Sequence, residues 1–310
     1  MAESRLNTKE QVRTLWQLGG LTVRQLAGRV WAELQHDDIL GRASELAYNF
    51  VLALFPLLMV LVTILGMMAE RGTRMRELLF YGMGNVMPGS VSELISKTIN
   101  EAIQASSGGK LTLGIVLTLW AAAGGTAAMM SGLNAAYDIR DARSWFKVRG
   151  IALALTIAIS VLVIGALTVV LAGNWIADFA GSRLDIGDEV LLAWKIMQWP
   201  AALFFLVLSF ALVYYFGPDV REQHWYWITP GSLMGVLLWL AASFGFRVYL
   251  HFFDTYSKTY GSLGAAIILL IWFWVAGLAF LAGGEINAEI EHAAAHRGHP
   301  EAKAEGEKAA

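Results

Sequence analysis

Within Tyr260–Glu291, YGSLGAAIILLIWFWVAGLAFLAGGEINAEIE, no charged residue occurs between Ser262 and Gly284. A helix needs about 20 largely apolar residues to cross the hydrocarbon of a bilayer. The run is too long for a strand and lacks the alternation of a membrane β-barrel. It therefore reads as a transmembrane helix over residues 262–284. Five further segments reach the same length, at 46–69, 111–136, 150–173, 191–217 and 229–253. The expected fold class is all-α, a polytopic membrane bundle of six transmembrane helices. Composition agrees: 56% of the residues are hydrophobic and 15% charged, against roughly a quarter charged in an ordinary soluble domain.

Cytoplasmic loops of such a bundle retain lysine and arginine. With the N-terminus inside, the inside segments hold fourteen of them and the outside segments seven, so both termini are expected in the cytoplasm. Residues 1–45 form an inner or interfacial segment, with no apolar run long enough for a secretory signal. Within it, TVRQLAGRVWAELQH (22–36) aligns Val23, Leu26, Ala27, Val30 and Leu34 on one stripe. That is an amphipathic helix, either lying on the membrane surface or packed beneath the bundle. Residues 46–292 make the transmembrane domain, and 293–310 a disordered cytoplasmic tail. In the outer loop, Ser90 and Glu93 have the spacing of a capping box, so a helix over 90–105 is expected there.

Polar groups inside a span are costly and therefore informative. Asn49 shares a face with Glu45 and Tyr48. Pro56 removes the hydrogen bond to the Leu52 carbonyl and kinks the helix. Asn49 either lines a cavity with that carbonyl or bonds across to another helix. Gly124, Ala128 and Gly132 recur at four-residue intervals and admit a close neighbour. Asn134 and Asp138 gather with Tyr137 at the inner end of the second span. At the fifth, Thr229 suits a helix cap with Pro230 in first position, and Gly231 with Gly235 forms a small-residue contact face.

Arg247 and Asp254 align with His251, so the arginine either snorkels outward or pairs with the acid. The connector DTYSKTYGSLGAA (254–266) adds Tyr256, Tyr260 and Gly261. These serve either as interfacial anchors or as an outer gate, with Arg247–Asp254 as its latch. Glu285 and Glu289 share a face, with Asn287 turned away. Glu285 and Asn287 are expected to support the inner end of the bundle, or a cavity there, rather than a catalytic metal.

Four segments occur in an order more specific than hydropathy: ELAYNFVLALFPLL, WITPGSLMGVLLW, YGSLGAAIILLIWFW and LAGGEINAEIE. Through them the chain resembles the YihY/BrkB family of bacterial inner-membrane proteins, over about residues 30–292. The resemblance implies six transmembrane helices, cytoplasmic termini and an inner-membrane location. It also brings two labels, a serum-resistance virulence factor and ribonuclease BN, the latter widely regarded as a misassignment. It supplies no catalytic motif.

The residues themselves give a nuclease no support. Metal-dependent phosphodiester chemistry needs carboxylates or histidines converging on cations, and the one histidine cluster, His292, His296 and His299, falls by the tail. No basic patch with interleaved aromatics and no phosphate-cradling loop is present. A net charge of −2 and zero cysteines leave no electrostatic hold on nucleic acid and no thiolate metal site. The chain is read as a non-enzyme without cofactor, metal or nucleic-acid partner. Its expected function is transport or flipping of a lipid-like, amphipathic envelope molecule among membrane lipids. The alternative is an envelope assembly or scaffold protein.

Overall fold

The computed structural model describes residues 15–69, 108–184, 188–220, 228–252 and 255–298. Seven α-helices follow one another: α1 Val23–His36, α2 Ile39–Ala69, α3 Gly108–Ala136, α4 Trp145–Leu184, α5 Asp188–Phe216, α6 Pro230–Phe252 and α7 Thr255–His296. No strand occurs among the described residues. Five helices contain stretches long and apolar enough to cross a membrane: Val116–Ala136, Trp145–Val170, Leu192–Phe216, Pro230–Leu250 and Ala266–His296. The remaining expected span, 46–69, falls within α2. The expected outer-loop helix at 90–105 lies outside the described residues.

Outward faces of α4 (Ile157, Val161, Ile164, Leu167) and α6 (Leu237, Leu240, Phe244) are apolar. Hydrocarbon tolerates such surfaces, whereas water does not.

The chain divides into two compact units. The first comprises Met1–Asp38, Met130–Leu237 and Phe280–Ala310, the second Ile39–Met129 and Leu238–Ala279. In the first, α4 packs along α5. Thr22 and Gln25 close a reciprocal capping box on α1, which orients Leu26 and Val30 into a core with Leu15 and Ile290. Of the expected amphipathic stripe, Leu26, Val30 and Leu34 pack in this way, while Val23 and Ala27 stay exposed. Thr22→Ala should cost about 1 kcal/mol, measurable as a lower thermal midpoint of the detergent-solubilised protein. In the second unit, Gly277 of α7 lies against Ala43 and Leu46 of α2, and Gly125 of α3 against Phe50.

α7 departs from expectation at both ends. It begins at Thr255, so Tyr256, Tyr260 and Gly261 belong to its opening turns rather than to a connector. Lone glycines cost a helix only about 1 kcal/mol each, and no proline interrupts the segment. At the other end the helix continues to His296, beyond the expected start of the tail at 293. Ala293, Ala294 and Ala295 are the strongest helix formers available, and Ala293 and Ala294 are buried.

Candidate functional site

The last turns of α7 bury Glu285, Asn287, Glu289 and His292, which are 1%, 3%, 5% and 2% exposed. Helical periodicity places Glu285, Glu289 and His292 on one face and Asn287 on another. Asn287 Oδ1 accepts from Gly231 N at 2.9 Å, and its Nδ2 donates to Thr229 Oγ1 at 3.0 Å. Thr229 Oγ1 also accepts from Ser232 N at 3.1 Å, and Ser232 Oγ donates to the Thr229 carbonyl at 2.9 Å. The first N–H groups of a helix have no helical acceptor. Those of α6 are met by its own cap and by a side chain from α7.

On the other face, Glu289 lies 3.5 Å from Arg29 Nη1 and 3.8 Å from His292 Nδ1. Glu285 meets acids instead. Asp37 is within hydrogen-bond reach, Glu33 is a charged neighbour, and Glu285 Oε1 has no hydrogen-bond partner. At the end of α1, one ligand-type atom from each of Glu33, His36 and Asp37 lies within 4.8 Å of the others. His36 Nδ1 is 3.2 Å from Asp37 Oδ1 and 3.7 Å from Glu33 Oε2. Burial pushes the Glu33 carboxyl above its ordinary value. Glu289, Asp37 and Asp138 push the same way, against His36.

Sequence reading missed this convergence, because its members come from opposite ends of the chain. The local signal was Glu33, His36 and Asp37 within one turn. The expected cluster of His292, His296 and His299 does not stand as read. His292 is buried beside Glu289 and edge-on to Tyr137, with centroids 6.1 Å apart, on a helix that is still ordered there. His299 lies outside the described residues.

A second polar knot joins α3, α4 and α5. Asn134 donates to Asp141 Oδ2 at 3.0 Å and accepts from Asp219 N at 2.7 Å. Arg143 clasps Asp141 through Nε at 2.9 Å and Nη2 at 2.8 Å, and Nη2 also donates to the Gly217 carbonyl at 2.8 Å. Burial raises the Asp141 carboxyl, but the hydrogen bonds and charge of Arg143, with Asn134, outweigh it and hold the group below the ordinary carboxylate range. Nearby, Tyr137 donates to Glu291 Oε1 at 3.0 Å. Burial and Glu291 push its hydroxyl well above the usual phenol range. Asp138 is exposed, with φ of +55°.

In the second unit, Asn49 Nδ2 donates to the Glu45 carbonyl of its own helix at 2.9 Å, neither lining a proline gap nor bonding across. Ser44, Glu45, Tyr48 and Leu52 are exposed along α2, while Ala43, Leu46, Ala47 and Ala53 are buried opposite them. Ala128 is buried and Gly124 half-buried in this unit. Gly132, in the first unit, lies against Leu281. Pro230 opens α6, and Gly235 faces Tyr214 and Phe210. Arg247 is exposed on α6. Its expected partner Asp254, and the side-chain surroundings of Pro56, His251, Tyr256, Tyr260 and Gly261, lie outside the described residues.

Comparison with known proteins adds relatives. The family profile described as Virulence factor BrkB matches residues 30–307. A ribonuclease-like protein, YfkH of Bacillus subtilis (strain 168), is 31% identical over 248 residues, covering 80% of this chain and 88% of that protein. A UPF0761 membrane protein of Tolumonas auensis is 24% identical over 290 residues, 87% of this chain and 86% of the relative. Another, from Xanthomonas oryzae, is 26% identical over 293 residues, 88% of this chain and 61% of a longer relative. No solved structure matches.

Proposed function

The chain belongs to the virulence factor BrkB family, and from that membership we propose that it transports or flips a lipid-like, amphipathic envelope molecule across the bacterial inner membrane. Six spans and cytoplasmic termini are part of this reading. The observation that carries it is the α2 face of Ser44, Glu45, Tyr48 and Leu52, with Tyr48 61% exposed. Faces turned outward by α4 and α6 are apolar, whereas this one presents a carboxylate, a hydroxyl and a phenol beside leucine. A carboxylate facing hydrocarbon costs about 3 kcal/mol or more. A hydrated groove relieves that cost, and the mixed face suits a ligand with a polar head and an apolar body. A bundle that merely held its ends in place would have no use for it. The ribonuclease-like name of YfkH points toward an enzyme. The α2 face, however, is acidic and offers no basic, aromatic-interleaved surface to hold RNA.

The cysteine-free sequence makes the test direct. Single cysteines at Tyr48 and Asn49 should react with a membrane-impermeant thiol reagent about tenfold faster than one at Ile157, because thiolate chemistry requires water. Envelope lipid extract should slow the reaction at Tyr48. A cysteine at Ser144 should react only in inside-out vesicles, which checks the orientation. Labelling at Tyr48 and Asn49 as slow as at Ile157 would remove the transport reading.

A further inference from the structure

We infer that Glu33, His36 and Asp37 of α1, completed by Glu285 of α7, form a binding site for a first-row divalent cation such as Mn2+ or Zn2+. Three ligand-type atoms, one from each α1 residue, already lie within 4.8 Å of one another. A cation can draw them together easily, because the His36 and Glu33 side chains are 75% and 38% exposed. Charge points the same way. Three carboxyls gather here, the nearest guanidinium, Arg29, is engaged by Glu289, and the carbonyl end of α1 adds partial negative charge.

The independent observation is Glu285. It is 1% exposed, it sits against Asp37 and Glu33, and its Oε1 has no hydrogen-bond partner. A buried oxygen without a donor is costly, and a cation shared with Asp37 satisfies it while cancelling the repulsion between the two acids. An imidazole among carboxylates favours Mn2+ or Zn2+ over Ca2+ and Mg2+. The exposed residues give an entry path, so the ion is exchangeable. Its effect is to fasten the end of α1 to α7. This assignment is independent of the transport reading.

The test uses the full chain in nanodiscs, stripped with EDTA and titrated with Mn2+ while the free-ion electron-spin signal is followed. One Mn2+ per chain should bind in the micromolar range and raise the thermal midpoint, and EDTA should reverse the shift. His36→Gln, at an exposed position that leaves the fold undisturbed, should weaken binding about tenfold or more, as should Glu285→Gln. Either of two results overturns the site: no stoichiometric Mn2+ uptake by the wild-type chain, or wild-type affinity in His36→Gln. The His36 variant keeps the test decisive even if Glu285→Gln fails to fold.

Discussion

Gly231→Ala should sharply lower the yield and thermal midpoint of the folded protein, by about 3–4 kcal/mol. A Cβ at this position falls inside contact distance of the Gly283 carbonyl and of Asn287. Neither obstacle yields cheaply. Gly283 is backbone, and Asn287 is held by Gly231 N and Thr229 Oγ1. Displacing it leaves polar groups of α6 without acceptors in a buried position. Gly283→Ala should act alike, since its Cβ would meet the Gly231 carbonyl at 2.7 Å and Gly235 Cα at 2.9 Å. The contrast is Gly245→Ala on the same helix, where nothing lies within 4 Å. That change should be neutral or stabilise by about 0.5–1 kcal/mol through lost backbone entropy. Fluorescence-detected size exclusion with heating reads all three. Equal behaviour of Gly231→Ala and Gly245→Ala would refute the close crossing.

Arg143→Ala should be the other severe substitution, at about 3 kcal/mol and a fall in thermal midpoint of about 10 °C. The guanidinium side chain is 5% exposed, clasps Asp141, lies 3.5 Å from Asp219 and donates to the Gly217 carbonyl. Its removal strands two carboxylates and a carbonyl together. Lysine should not rescue it, because an ammonium cannot reproduce the two-pronged contact. A pH signature follows. Asp141 is held below the ordinary carboxylate range, so its contribution is complete above about pH 4, its value in the unfolded chain. It is lost as pH falls through the lower folded value. Wild-type protein should lose stability in that acidic window, and Arg143→Ala should show a shallower loss there. An unchanged midpoint in the variant would show that the knot is ornamental.

Hydropathy made the membrane-helical class legible, because runs such as 262–284 leave no alternative in a bilayer. Local chemistry also marked the start of α6, since Thr229 and Pro230 occupy adjacent positions where a cap and a first helical residue are wanted. The extent of α7 was not legible. Hydropathy ends where Glu285 begins, but helix propensity does not, and Ala293–Ala295 carry the helix on. Asn287 was noticed as polar, yet its role depends on Gly231, 56 residues earlier. Glu285 read as a surface acid for the same reason, with Asp37 far away in sequence. Asn49 illustrates the converse: a neighbour in its own helix took the hydrogen bond that sequence reasoning reserved for a cavity or another helix.

Leu15 and Val30 share a core with Ile290, so the first-made part of this fold waits for the last. At ribosomal rates of about 5–20 residues per second, the roughly 275 intervening residues take on the order of 15–60 s to emerge. Throughout that interval Leu26 and Val30 have no partner, and the nascent N-terminal segment is a natural client for a holding chaperone or the membrane surface. Stop codons placed shortly before Ile290 would therefore leave both ends of the chain open to quality-control proteases, although nearly every apolar span had already been made.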